Sequence, residues 1–68
     1  MRKILIQTRM AMGLSQKRMS ELVGVSQPSY WAYESGASTP RPENAVKISK
    51  ILGIPLEQIF ADDSKKGG

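Results

Sequence analysis

Glycine stands at positions 13, 24, 36 and 53, each time just behind residues whose apolar members recur at helical spacing. Glycine ends a helix at least cost, because its backbone enters the left-handed region without a Cβ penalty. The chain is therefore cut into short helices joined by tight corners, and no stretch alternates with the period of two that a strand needs. Arg2 to Met12 contains neither proline nor glycine, and Leu5, Arg9 and Met12 fall on one stripe, which predicts a first helix stopped by Gly13. Ile4 and Ile6 sit off that stripe; they either widen the buried face or meet a second subunit. Ser15 is a good N-cap for a second helix running to Val23, with Met19, Leu22 and Val23 inward. Position 18 holds Arg where Glu would complete a reciprocal capping box, so that bond is unavailable.

Gly24 closes the second helix, Val25 turns back into the core, and Ser26 caps a third helix with Pro28 in its first turn. Proline is tolerated there, because the amide hydrogen it lacks has no partner inside the helix. At about 100° per residue, Gln27, Pro28, Trp31, Ala32 and Ser35 share one arc while Ser29, Tyr30, Tyr33 and Glu34 share the other. Tyr30 and Tyr33 mark the core side, so Trp31 faces away from it together with Gln27. Gly36 ends this helix, and residues 36–42 form the longest loop. Pro42 starts a fourth helix marked by Ala45, Val46, Ser49 and Leu52 and stopped by Gly53. Pro55 opens a short last helix whose apolar members are Leu56, Ile59 and Phe60, which close the core or serve a dimer interface. Residues 1–61 thus read as one all-α domain of five helices, and 62–68 as a polar, flexible tail.

A domain of 68 residues buries only about 60% of the surface its unfolded chain exposes, so its stability margin is thin. Apolar residues make up 40% of the chain and the net charge is +4, a globular composition that suits a polyanionic partner or simply solubility. Cysteine and histidine are both missing, which removes disulfide frameworks, zinc fingers and the commonest nucleophiles. No carboxylate pair converges with a nucleophile either, so no enzyme, no metal and no cofactor is expected. Nothing approaches the roughly 20 apolar residues of a membrane span, and Ile4 to Ile6 is too brief for a secretory leader. The expectation is a cytoplasmic protein without a small-molecule ligand, since the length leaves no room for a ligand-binding domain.

The most informative unit is the pair of capped helices, Ser15 to Val23 and Ser26 to Ser35, joined by Gly24-Val25. That is the shape of a helix-turn-helix, whose second helix lies in a DNA major groove, although similar corners also occur packed wholly inside helical proteins. Beyond shape, four spaced segments resemble the Cro/C1-type, or XRE-type, phage-repressor-like helix-turn-helix family. They are Arg9 with Gly13 to Gln16, then Val23 to Gln27, Tyr33 to Gly36, and Leu52 to Leu56, so that the likeness runs from Leu5 to about Phe60. The resemblance implies a compact five-helix, lambda-repressor-like fold. It also implies a sequence-specific regulator of transcription, a repressor, that binds double-stranded DNA as a homodimer on a pseudo-palindromic operator.

Residue roles follow from the same resemblance. Gln16 matches a position that touches the DNA backbone and braces the third helix; read alone, it is an ordinary exposed first-turn residue. Gln27 matches a base reader, suited to the N6 and N7 edge of adenine, and Pro28, Trp31 and Ala32 complete the base-facing set. Ser26 and Ser29 match positions near phosphates, although Ser29 lies on the core arc, and Lys17, Arg18 and Arg41 stand where the family approaches the backbone or form a merely solvated face. Arg9 and Glu34 match a structural ion pair. Lys47 and Lys50 read as solubility, and Glu57, Asp62 and Asp63 gather acid toward the C-terminal end. Ala32 departs from the pattern, since many members carry a longer polar reader there. Trp31 is open between three readings: a DNA contact, an anchor for a protein partner, or packing on Gln27. The competing function is accordingly a protein-interaction module, antitoxin-like, that docks through Trp31 and the first-helix surface.

Overall fold

Serine and glycine set the ends of the two central helices. Ser15 Oγ accepts from the Arg18 N–H at 3.0 Å and Ser26 Oγ from the Ser29 N–H at 3.2 Å, each satisfying one of the donors a helix start leaves unpaired. At the other end of the first of these helices Gly24 takes φ 87°, a conformation that would strain any other residue although little but the Lys47 side chain stands near it. The computed structural model describes residues 1–61. In it α1 spans Lys3–Ala11, α2 Gln16–Val23, α3 Gln27–Ser35, α4 Pro42–Leu52 and α5 Leu56–Phe60, with no strand among the described residues. The segment read as a polar tail, 62–68, lies outside the described residues, and with it Asp62 and Asp63.

Leu5 from α1, Met19 and Val23 from α2, Tyr30 and Tyr33 from α3, and Ile48 from α4 meet in one core that Ile59 of α5 closes. The two tyrosines pack edge to face, ring centres 6.3 Å apart, and Asn44 Nδ2 donates to the Tyr33 hydroxyl at 3.2 Å, tying α4 to α3.

Several expected core members are elsewhere. Met12 is 50% exposed because α1 ends at Ala11 and the chain bends before the stripe is completed. In α2 the buried arc centres on Met19, Ser20 and Val23, leaving Leu22 roughly 100° away and 40% exposed. Ser20, which the apolar spacing passed over, is buried, its hydroxyl donating to the Lys17 carbonyl at 2.6 Å. In α4 the inward line is Ala45, Ile48 and Leu52; Val46 lies on the far side and is 38% exposed. Ser29 is exposed rather than on the core side, since α3 meets the core only from Tyr30 onward. Leu56 and Phe60 also stay at the surface, so Ile59 alone of the α5 apolar set enters the core. Lys47 is more than a solubilising charge, because its Nζ donates to the Val23 carbonyl at 3.3 Å and caps the end of α2. Among the described residues no helix is long and apolar enough to cross a membrane.

Candidate functional site

The α2–α3 corner presents an outer surface built from first turns. Gln27, Pro28 and Ser29 at the start of α3 are exposed, Trp31 one turn from Gln27 is 44% exposed, and Ala32 is half-buried. Trp31 therefore does face outward, because Tyr30 and Tyr33 take the core side of a helix only 9 residues long. On the neighbouring helix, Lys17 and Arg18 in the first turn of α2 are exposed. Arg18 Nη1 reaches Glu21 Oε1 at 3.3 Å, but both side chains are more than half exposed, so the pair is worth well under about 1 kcal/mol and leaves the guanidinium available. Arg41 is exposed at the N-cap of α4 and makes no side-chain capping bond. The exposed starts of α2 and α3 add the positive ends of two helix dipoles to this surface.

Behind the surface, the far end of α3 is fixed by charge. Arg9 Nε donates to Glu34 Oε2 at 2.6 Å and its Nη2 to Oε1 at 3.3 Å, with the carboxylate fully buried. The remaining nitrogen of the guanidinium, Nη1, donates to the Leu14 carbonyl at 2.8 Å and so holds the α1–α2 corner as well. Gln16 Nε2 donates to Glu34 Oε1 at 3.1 Å, linking the first turn of α2 to the end of α3. An amide carries two N–H donors, so Gln16 keeps a second one beyond this bond. Ser26 Oγ donates to Ser29 Oγ at 2.9 Å, which leaves the Ser29 proton free to point away. The Tyr30 hydroxyl is buried beside the Arg9–Glu34 pair, close to both groups but without a well-aligned hydrogen bond to either. Burial pushes this phenol well above its ordinary range; the Glu34 carboxylate adds to the shift, and Arg9 opposes it.

One residue of this arrangement escaped the sequence reading. Arg2 is 2% exposed, and its Nη1 donates to the Tyr33 carbonyl at 2.6 Å and to the Ser38 carbonyl at 2.8 Å. Its Nη2 reaches Thr39 Oγ1 at 3.2 Å, and its backbone N–H donates to the Glu34 carbonyl at 2.7 Å. An arginine two residues into a chain carries no local signal for contacts more than thirty positions away. Only the unpaired carbonyls that any helix end leaves behind hint at a donor from elsewhere.

Comparison with known proteins agrees with this geometry. A helix-turn-helix family model matches residues 5–59. The HTH-type transcriptional regulator YqaE of Bacillus subtilis (strain 168) is 34% identical, over 78% of this chain and 53% of its own length. The cryptic phage CTXphi transcriptional repressor RstR of Vibrio cholerae is 32% identical, over 79% of this chain and 49% of its own. The repressor of the same name from the serotype O1 strain is 39% identical, over 75% of this chain and 46% of its own. The chain thus spans about half the length of the curated relatives it matches. No solved structure matches it. From the two serine-capped helices, the glycine corner between them and the match over 5–59, the chain belongs to the Cro/C1-type, XRE-like helix-turn-helix family, with its five-helix, lambda-repressor-like fold.

Proposed function

We propose that this chain binds double-stranded DNA sequence-specifically and regulates transcription, as a repressor and as a homodimer on a pseudo-palindromic operator. The observation that carries the reading is the exposed outer face of α3, anchored at its far end by Arg9 and by Gln16 of α2, whose first turn also carries the exposed Lys17 and Arg18. α3 lies in the major groove, with Gln27, Pro28, Trp31 and Ala32 toward base edges. Gln16 through its second amide proton, Lys17, Arg18, Ser26, Ser29 and Arg41 meet phosphates, which position the domain without reading sequence. Arg9 and Glu34 hold the helix and touch no DNA. Two of the relatives are named as repressors, which supports the sign of regulation. Such a regulator works in the cytoplasm, on the duplex alone, without catalysis, cofactor or small-molecule ligand.

Selection from random duplexes at several salt concentrations tests this. An enriched sequence is expected, with affinity falling steeply as salt rises, because each neutralised phosphate releases a counterion. Gln27→Ala should relax selectivity at one base pair, and Lys17→Ala should weaken all sequences alike. A flat selection together with no salt slope would remove the proposal.

A second reading is favoured by the exposure of Met10, at 65%, and Met12, at 50%, near the end of α1. Together with Trp31 these side chains suit a protein partner. Binding that ignores Lys17→Ala and Arg18→Ala but vanishes with Trp31→Ala would select that alternative.

A further inference from the structure

Reading α3 as the groove-entering helix raises the matter of which base pairs it prefers, and its side-chain inventory bears on that directly. α3 contains no arginine or lysine, and its single carboxylate, Glu34, is sealed in the ion pair. Guanine is most often read by an arginine or lysine donating to O6 and N7, and cytosine by a carboxylate accepting from N4. The outer face offers neither. Of its hydroxyls, Ser35 Oγ donates to the Ala32 carbonyl at 3.2 Å, and Ser29 Oγ accepts from Ser26 Oγ at 2.9 Å while keeping a proton that suits acceptors of either kind of pair and so does not choose between them. The exposed side chain of Gln27 makes no bond among the described residues, and its amide matches the N6 and N7 edge of adenine. Around it stand Pro28, Trp31 and Ala32, which present mainly carbon. The apolar mark of a base pair in the major groove is the C5 methyl of thymine.

Resting on the DNA reading above, in which Gln27 takes an adenine, we propose that Trp31 is a second specificity residue of α3, its ring against the C5 methyl of a thymine, so that the helix selects A·T pairs. Trp31 follows Gln27 by four residues, about 6 Å along the helix axis, so the thymine lies within about two base-pair steps of that adenine. The specificity is thus carried by one amide and one indole, with the methyl taking the part that a second polar reader would otherwise play.

The test uses the full chain and the winning duplexes of a random selection. Each thymine of the winning site is replaced in turn by deoxyuridine, which removes the methyl and keeps the pairing. Expected are A·T pairs at the positions α3 faces, and binding about fourfold weaker when the contacted methyl is missing, the worth of one buried carbon. Trp31→Ala should bind thymine and deoxyuridine duplexes equally. Gln27→Ala should lose its preference for adenine while staying sensitive to the methyl. Both residues are exposed, so both variants should keep the helical circular dichroism of the parent. G·C pairs at the faced positions, equal affinity for the two duplexes in the unmodified chain, or a methyl effect that survives Trp31→Ala would overturn the proposal and leave DNA binding standing. The comparison in the unmodified chain decides even where a variant binds too weakly to titrate. No enrichment and no salt dependence would fell the DNA reading itself, and this inference with it.

Discussion

Glu34 is a fully buried carboxylate, tenable only because Arg9 and Gln16 direct three N–H donors at its two oxygens. Removing one charge strands the other away from water. Arg9→Ala and Glu34→Ala are each expected to cost about 3–5 kcal/mol, read by urea titration of the helical signal; a loss under about 1 kcal/mol would mean that water solvates the pair. Tyr30 makes the opposite prediction. Its hydroxyl is buried and finds no well-formed bond, only the nearby Glu34 and Arg9 groups, so Tyr30→Phe should change stability by less than about 1 kcal/mol. The same hydroxyl couples folding to alkaline pH. Its folded pKa is raised, so folded and unfolded chains are both neutral at this site below about pH 10. Above that the unfolded phenol ionises and the folded one does not, and stability falls as pH rises. Thermal midpoints measured across this range should fall less steeply for Tyr30→Phe than for the parent; equal slopes would contradict the assigned cause.

Among the elements, α3 has its end tied down from several sides, by Arg9 of α1, Gln16 of α2 and Arg2 ahead of α1. Arg2 bridges the Tyr33 and Ser38 carbonyls, and so joins the last turn of α3 to the loop behind it. Arg2→Ala should cost about 2–3 kcal/mol, the worth of a charge-assisted bond to the buried Tyr33 carbonyl. Hydrogen exchange would locate the damage, with faster exchange expected at the amides of Gly36 and Ser38, which bond to the Ala32 carbonyl. Exchange accelerated uniformly along the chain would show instead that Arg2 acts on global stability alone. Helix boundaries were legible beforehand because caps and glycine corners are local chemistry: all four glycines at 13, 24, 36 and 53 take positive φ. The buried faces of α2 and α4 were less so. A helix of two or three turns offers overlapping apolar arcs, and the neighbours, absent from any local pattern, choose Ser20 over Leu22 and Ile48 over Val46. The outward turn of Trp31 was legible because two tyrosines on the other arc outweigh it; the Arg2 contacts were not, since they span the chain.

For the whole molecule, the remaining apolar surface has a place in the proposed dimer. Leu56 and Phe60 of α5 are 38% and 40% exposed while Ile59 between them closes the core, so α5 keeps an apolar edge outside. Sedimentation of the chain with its selected duplex should show two copies per site, as an operator with two-fold symmetry requires. Monomer with and without DNA would overturn the dimer while leaving the single-domain contacts intact.

The anchors of α3 all converge on its final turn, where Arg2, Arg9 and Gln16 act on Tyr33 and Glu34, while Gln27 at the opposite extremity is gripped by no other element. α3 is in effect a cantilever. A lever clamped at its root transmits any tilt of the root, magnified, to the tip, so substitutions around Glu34 that the fold survives will still misaim the side chains farthest from them.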